Sequence, residues 1–346
     1  MNIIFFSSGD FAAETLQFLT KGMAEEYGFN VNVKGVVTSN GKAKYYPKPI
    51  KQIAFDNDIP YCIPKNEEDL YNFLTSFNDI DAYVVISYKK LSQRILNIVN
   101  GKAINVHASV LPFLKGAAPI NWAIRNGFKE TGLTSFYLNN DIDCGNVIDS
   151  TIIKVDDNET FETLYKKLSD RCTTFLMETL SKMMLKEYDV GKKQICLGIE
   201  DKYPKLFKAP KITNKYWGDW LRFGQKEIDC LFRSTNEGLP IKLYAVNRDD
   251  NRDYYEFDAK IWDFEFVSNF EEGSNNVNLD FTQCDGKNYI RVVFGTQIEK
   301  AISLKEIQLS GKKRLSIIEF LRGFKYSRLI SQYKLMISTA EYGNNG

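Results

Sequence analysis

Apolar residues in the first half of the chain form short runs rich in β-branched residues. These runs lie at 1–8, 31–39, 81–88, 102–109, 132–139 and 146–155. The first four are separated by segments long enough to hold helices, and strands that alternate with helices are typical of a parallel, doubly wound sheet. The last two follow more closely and predict two further strands. The pattern therefore predicts a doubly wound, mostly parallel, Rossmann-like α/β domain.

The second half of the chain has a different pattern. Apolar residues recur at helical spacing from Phe161 to Met183, after a capping cluster at 157–160, and predict a long helix. Beyond residue 212 short aromatic-rich runs dominate and predict a smaller β-barrel of OB-like form. A final helix is expected at Ser316, where S-I-I-E has the form of a capping box.

These patterns predict the domain organisation. The first domain covers 1–196, and a linker at 197–211 loses periodicity and carries two prolines. The β-rich second domain covers 212–330. The tail at 331–346 is expected to be flexible.

Composition and charge exclude several classes of protein. Lysine and arginine total 45 against 44 acidic residues, so the net charge of +1 gives no overall attraction to nucleic acid or anionic lipid. The apolar runs are far shorter than the roughly 20 residues of a transmembrane helix, and no signal peptide is visible. The six cysteines form no CxxC pair, and the chain has one histidine. We expect a cytoplasmic, monomeric protein with no structural metal and no membrane partner.

The one histidine lies where chemistry is expected. His107 and Asn105 end a predicted strand, and side chains two apart on a strand project to the same side. Ligands of such sheets bind at the carboxyl ends of the strands. Pro119 can open the next helix, and Asp143 lies in a turn between the last two strands. A satisfied core histidine and an ordinary structural turn are the alternatives to this interpretation.

Two motifs carry a resemblance to a known family. The stretch NVHASVLPFLKGAAPINWAI at 105–124 and IDCGNVI at 142–148 resemble the two site motifs of the 10-formyltetrahydrofolate-dependent formyltransferases. The resemblance implies a formyltransferase catalytic domain, with Asn105, His107 and Asp143 at the three catalytic positions. It implies direct attack of an amine on the formyl carbon. Asn105 and His107 would stabilise the oxyanion, each well-placed donor contributing roughly 3 to 4 kcal/mol, and Asp143 would be the partner of His107.

The resemblance also implies 10-formyltetrahydrofolate as formyl donor, without a metal. Its implied pocket residues are Tyr88, Leu91, Ser109, Leu111, Pro112, Asn140 and Asp141. Three positions depart from the family pattern: Lys115 replaces an arginine, Cys144 replaces a threonine and Asn146 replaces an aspartate. Lysine keeps the charge of the arginine but loses its bidentate fork.

Similarity to one branch of this family indicates which molecule accepts the formyl group. GAAPI at 116–120 and LSGKKRLSIIEFLRG at 309–323 are similar to the branch that formylates initiator methionyl-tRNA. The residues expected to contact tRNA are Lys42, Lys44, Lys48, Lys312, Lys313 and Arg314. The first three lie in a basic loop, 39–51, that is shorter than the family pattern, and solvated lysines are the alternative interpretation of both groups.

The same sequence features are compatible with three other functions. The same three catalytic residues would serve a formyltransferase that acts on a nucleotide-linked amino sugar. Hydrolysis of the formyl donor would use water as acceptor, although that reaction usually comes with an additional N-terminal domain. A non-catalytic RNA-binding protein could keep the fold without the chemistry.

Overall fold

The computed structural model describes most of the chain. The described residues are 1–41, 43–184, 191–194, 204–217, 220, 223–235, 237–247, 249, 252, 254–267, 279–284, 287–293, 301–317, 319–320 and 333–338. The chain forms two compact units, Met1–Lys211 and Ile212–Gly346.

A seven-stranded sheet forms the centre of the first unit. Its strands are β1 (Asn2–Ser7), β2 (Asn32–Val37), β3 (Tyr61–Cys62), β4 (Ala82–Ile86), β5 (Ala103–His107), β6 (Glu130–Tyr137) and β7 (Val147–Lys154). Their order across the sheet is β3-β2-β1-β4-β5-β6-β7. The pairs from β3 to β5 are parallel, whereas β6 runs antiparallel to both β5 and β7. The chain starts in the middle of the sheet and winds outwards in both directions, as doubly wound sheets do.

Helices connect the strands of this unit. They are α1 (Ala13–Thr20), α2 (Ile50–Asp56), α3 (Glu67–Thr75), α4 (Gln93–Asn97), α5 (Pro119–Arg125), α6 (Phe161–Met184) and α7 (Pro204–Phe207), with one 3-10 helix at Met23–Tyr27. The α6 helix begins where the Thr163 amide donates to the Thr160 hydroxyl, 3.2 Å away. One face of α6 is buried from Leu164 to Leu180, because its apolar residues recur at helical spacing.

The predicted strands and the predicted long helix of the first unit are confirmed. The sequence interpretation missed only β3 among the strands of this sheet. That strand has two half-buried residues at the sheet edge, too few for alternation to mark it. Apolar runs such as those of β1 and β4 are buried on both faces of the sheet, which is why they lack alternation.

The second unit combines short helices with an antiparallel sheet. The helices are α8 (Asn214–Trp217) and α9 (Gln225–Arg233), and the strands are β8 (Leu239–Asn247), β9 (Tyr254–Val267), β10 (Leu279–Cys284), β11 (Lys287–Val293), β12 (Ala301–Leu309), β13 (Arg314–Ser316) and β14 (Tyr333–Ser338). The order is β10-β11-β12-β9-β8-β14, and β13 pairs with β12. The predicted β-rich second domain is thus confirmed.

The predicted tail and the predicted linker both contain regular secondary structure. The expected tail contains β14, which pairs with β8 over six residues, so the prediction of a flexible segment from 331 was wrong for 333–338. Alternating Tyr333, Leu335 and Ile337 carried a strand pattern that the interpretation did not use. The predicted linker contains α7, and residues 205–210 are hydrogen-bonded to earlier residues of the first unit.

The predicted capping box at Ser316 is confirmed. The Glu319 amide donates to the Ser316 hydroxyl, and the Ser316 amide donates to the Glu319 carboxylate.

Among the described residues, no helix combines the length and the apolar character that crossing a membrane requires.

Candidate active site

The predicted catalytic residues of the first motif lie at the carboxyl end of β5. This strand pairs with parallel β4 on one side and with antiparallel β6 on the other, and His107 lies opposite Thr134 of β6. The loops after β1 and β4 meet at the same edge of the sheet, where the Ser8 amide donates to the Ser87 carbonyl. The site is therefore at the edge where doubly wound sheets bind ligands.

His107 has an oxygen atom near each of its ring nitrogens. Its side chain is buried, and Nε2 lies 3.0 Å from the Leu114 carbonyl oxygen. Nδ1 lies 3.7 Å from Oδ2 of Asp143, which is close enough for attraction but too long for a hydrogen bond. The contact at Nε2 thus fixes the orientation of the ring. A substrate oxygen could accept a hydrogen bond from Nδ1, where the Asp143 carboxylate would stabilise positive charge on the imidazole.

Asp143 is held in place by the Gly116 backbone amide and by the Gln194 side chain. Its Oδ2 accepts a hydrogen bond of 2.8 Å from the Gly116 amide. Its own φ is +52°, in the left-handed region that side chains seldom adopt. Gln194 supports this turn by donating from Nε2 to the carbonyl oxygens of Asp143 and Gly145, each at 2.9 Å. A Cβ on Gly145 would lie 1.6 Å from the Tyr137 carbonyl oxygen, so only glycine fits there.

Asn105 lies on the same side of β5 as His107. Its side chain is half-buried and forms no hydrogen bond to the residues that the structure describes. An amide in this position can donate to a ligand oxygen without first breaking an internal bond. The structure thus brings the two predicted catalytic residues of β5 and Asp143 of the second motif to one edge of the sheet.

The segment that follows β5 folds back over the strand end. The Ser109 hydroxyl donates to the Phe113 carbonyl, and Thr134 Oγ1 donates to the Ser109 carbonyl and accepts from the Leu111 amide. The peptide bond between Leu111 and Pro112 is cis. These bonds lead into residues 113–118, which we call the catalytic loop because its backbone contacts both His107 and Asp143.

Two of the three departures from the family pattern, Lys115 and Cys144, lie next to each other. Lys115 Nζ lies 3.3 Å from the Cys144 sulfur, and the Cys144 sulfur lies 3.2 Å from the Ile142 carbonyl oxygen. The ammonium thus points towards the turn that carries Asp143. In the described part of the chain, no group of three or more His, Cys, Asp or Glu side chains lies together as a metal ion would require.

The residues expected to bind folate differ in their surroundings. Leu91 is buried in the cluster beneath β4, and Tyr88 is half-buried against the Phe6 ring. Burial raises the pKa of Tyr88 to about 12. Leu111 is buried, Pro112 is half-buried, Asn140 and Asp141 are exposed, and the Ser109 hydroxyl is already used within the segment.

The residues expected to bind tRNA belong to both units. Lys42 lies outside the described residues. Lys44 and Lys48 are exposed, and Lys48 pairs with Asp56. In the second unit Lys312 and Lys313 are exposed at the turn between β12 and β13. Arg314 pairs with Glu306 and stacks over the Trp262 ring, 4.9 Å from its centroid.

One buried carboxylate organises the basic loop. Asp10 Oδ2 accepts hydrogen bonds from the consecutive backbone amides of Lys44, Tyr45 and Tyr46. Its Oδ1 accepts from the Tyr165 hydroxyl at 2.7 Å. Burial raises the pKa of Asp10, but these hydrogen bonds outweigh it and hold the pKa below its ordinary value. The Tyr45 ring packs against Tyr165, with centroids 4.7 Å apart.

Comparison with known proteins gives the class of the protein. The family model described as formyl transferase matches residues 1–180. The chain is 31% identical over 336 residues to a methionyl-tRNA formyltransferase of Bacteroides fragilis, covering 94% of this chain and 95% of that one. It is also 31% identical over 338 residues to a methionyl-tRNA formyltransferase of Chlorobium limicola, covering 94% and 97%. A solved sugar 3N-formyl transferase shares the fold, with a TM-score of 0.58, 19% identity, and coverage of 90% of this chain and 99% of that one.

The chain belongs to the formyl transferase family. The description of the family and the names of the relatives both indicate that it is an enzyme that transfers one-carbon groups.

Sequence interpretation missed two contributors to the site. Leu114 contacts His107 through its backbone carbonyl, which no residue type reveals. Gln194, which supports the turn that carries Asp143, lies in a stretch without periodicity or a motif. Only the prolines and glycine around the catalytic loop signalled that its backbone takes an unusual path.

Proposed function

We propose that this enzyme transfers the formyl group of 10-formyltetrahydrofolate to the amino group of initiator methionyl-tRNA. The observation that carries the proposal is the convergence of Asn105, His107 and Asp143 at one sheet edge, in a chain that aligns along 94% of its length with methionyl-tRNA formyltransferases. Because charged tRNA and reduced folate would be the substrates, we expect the reaction to take place in the cytoplasm.

In the proposed mechanism the amine attacks the formyl carbon and the carbonyl oxygen becomes negative. The Asn105 amide and the Nδ1 hydrogen of His107 donate to that oxygen, while Asp143 stabilises positive charge on the ring. The bond from carbon to the folate nitrogen then breaks. The proton lost by the amine reaches that nitrogen by way of Asp143 or a water molecule.

The two substrates would contact different parts of the protein. Tyr88, half-buried against the cluster that contains Leu91, would be one wall of the folate pocket, and the exposed turn at 139–141 would provide backbone contacts. The basic loop and the turn at 312–314 would neutralise phosphates of the tRNA.

The test offers the formyl donor with competing acceptors and measures which one consumes it. The acceptors are methionyl-initiator-tRNA, a nucleotide-linked amino sugar and water alone. The matched control is the same charged tRNA with its amino group acetylated, which keeps every phosphate but has no nucleophile. We expect consumption only with the free amine of the charged tRNA. Faster consumption with the sugar, or equal consumption with water, would reject this acceptor.

A further inference from the structure

A second backbone segment reaches the site from far along the chain. Residues Lys205–Pro210, which we call the clamp segment, lie immediately before the second unit begins at Ile212. The amides of Leu114 and Lys115 donate to the carbonyls of Leu206 and Phe207, at 3.1 and 2.8 Å. The segment thus adds a short ladder to the catalytic loop.

The ladder continues on the other side of Lys115. The Ala209 amide donates to the Lys115 carbonyl at 2.7 Å, and the Ala118 amide donates to the Ala209 carbonyl at 3.1 Å. Gly116 lies between them with φ +125°, and a Cβ on it would be 2.5 Å from the Ala209 carbonyl oxygen. The two backbones therefore approach so closely that a side chain at 116 is excluded.

Side chains on α5, directly after its C-terminus and in the catalytic loop fix the clamp segment in turn. Trp122 Nε1 donates to the Pro210 carbonyl at 2.9 Å, and Asn126 Nδ2 donates to the Lys205 carbonyl at 2.5 Å. The rings of Phe113 and Phe207 stack with centroids 5.0 Å apart. Both ends of the segment are thus tied to the helix that follows the catalytic loop.

The groups next to this ladder contact the predicted catalytic side chains. Leu114, whose amide is in the ladder, presents its carbonyl to His107 Nε2, and Gly116 presents its amide to Asp143. Leu114 has φ +55°, a conformation that costs energy for a residue with a side chain and persists only with support. The bond from its amide to the Leu206 carbonyl provides that support.

We propose that the clamp segment is a positioning element of the formyl-transfer site. Its backbone hydrogen bonds set the Leu114 carbonyl and the Gly116 amide, and through them the orientation of the His107 ring and the Asp143 carboxylate. The clamp segment touches no reacting atom. The proposal rests on the proposed function for the roles of His107 and Asp143, but its geometric part is independent of the acceptor.

The single histidine allows a direct test in the full-length chain. Protein labelled with ¹⁵N in histidine has only the His107 imidazole signals, so both ring nitrogens are assigned without mutagenesis. Ala209→Pro removes the amide that donates to Lys115, and Ala209→Ser keeps that amide at similar volume. Both variants are compared with the unchanged chain by imidazole signals, thermal unfolding, and kcat and KM.

In Ala209→Pro we expect the imidazole signals to shift and kcat to fall about 10- to 100-fold, because a small misplacement of catalytic groups is costly. KM for both substrates should change by less than about threefold, since the loss lies in the transition state. Ala209→Ser should resemble the unchanged chain in all three measurements.

Trp122→Phe is the second variant, in case Ala209→Pro does not fold. It keeps an aromatic ring but loses the donor to Pro210, and the same shift with a smaller loss of kcat is expected. Unchanged imidazole signals in a folded variant would overturn the proposal, even if activity fell. If the unchanged chain formylates no acceptor, the proposed function fails, and the imidazole signals still decide whether the clamp segment orients His107.

Discussion

The basic loop and the catalytic loop are held by opposite means. The catalytic loop is fixed by backbone groups of the clamp segment, and the donors and acceptors of that ladder belong to peptide units. The basic loop is fixed by one side chain, because three consecutive amides converge on the Asp10 carboxylate. A loop anchored by backbone tolerates most side-chain changes, whereas a loop anchored by one carboxylate depends on a single residue. The comparison therefore separates substitutions that should affect chemistry from those that should affect substrate binding.

The largest expected effect comes from the histidine that the catalytic loop orients. His107→Ala should lower kcat/KM about 10³-fold, since it removes an oxyanion donor and the partner of Asp143. Single-turnover formylation of methionyl-tRNA measures the loss, and circular dichroism checks that the fold remains. His107→Asn, which keeps a donor at the strand end, should retain more activity. Activity of His107→Ala within about tenfold of the unchanged chain would mean that the network around the catalytic loop serves packing alone.

The contrast between the loops also explains what sequence could predict. The strands and the long α6 helix followed from side-chain patterns, namely runs of apolar residues and helical spacing. Those patterns record where a side chain is buried or exposed. They marked His107 at a strand end and Asp143 in a turn as candidates, and the resemblance of two motifs to a known family suggested their roles.

The partners of these residues could not be predicted for the same reason. The Leu114 carbonyl and the Ala209 amide act through the backbone, and every residue type carries the carbonyl, as every type except proline carries the amide hydrogen. The clamp segment is separated from the catalytic loop by about ninety residues, so no local pattern joins them. Asp10 shows a different limit: its residue type was visible, but its three amide donors lie more than thirty positions away.

The next largest effect concerns the basic loop. Asp10→Ala leaves three amides without their acceptor, so the loop should lose its fixed form and KM for tRNA should rise about tenfold with little change in kcat. Hydrogen exchange at residues 44–46 should quicken in the same variant. Asp10→Asn keeps an oxygen acceptor and should restore part of the affinity. A fall in kcat at unchanged KM would instead link Asp10 to the chemistry and remove the distinction between the loops.

A smaller effect is expected from exposed lysines, and it distinguishes the two units. Replacing both Lys312 and Lys313 by alanine should raise KM for tRNA about three- to tenfold. It should also reduce the dependence of log affinity on log salt by about two, because each lysine that neutralises a phosphate contributes about one to that slope. Lys48→Ala is the comparison, because Asp56 already neutralises Lys48. An equal or larger effect of Lys48→Ala would assign the main phosphate-binding role to the first unit.

The smallest effect is a pH dependence confined to the basic loop. Asp10 has a folded pKa below its ordinary value of 3.8, so between the two values the unfolded chain binds more protons. The stabilisation by Asp10 is therefore complete above that ordinary value and is lost as the pH falls through the folded value. The protection of the amides at residues 44–46, measured as the exchange rate relative to the intrinsic rate at each pH, should fall as the medium is acidified through this range, and in Asp10→Asn it should depend less on pH. The amides of Lys115 and Ala209, which bond to carbonyls, are the internal control. If they lose protection in step with 44–46, the two loops open together and the carboxylate is not a separate anchor.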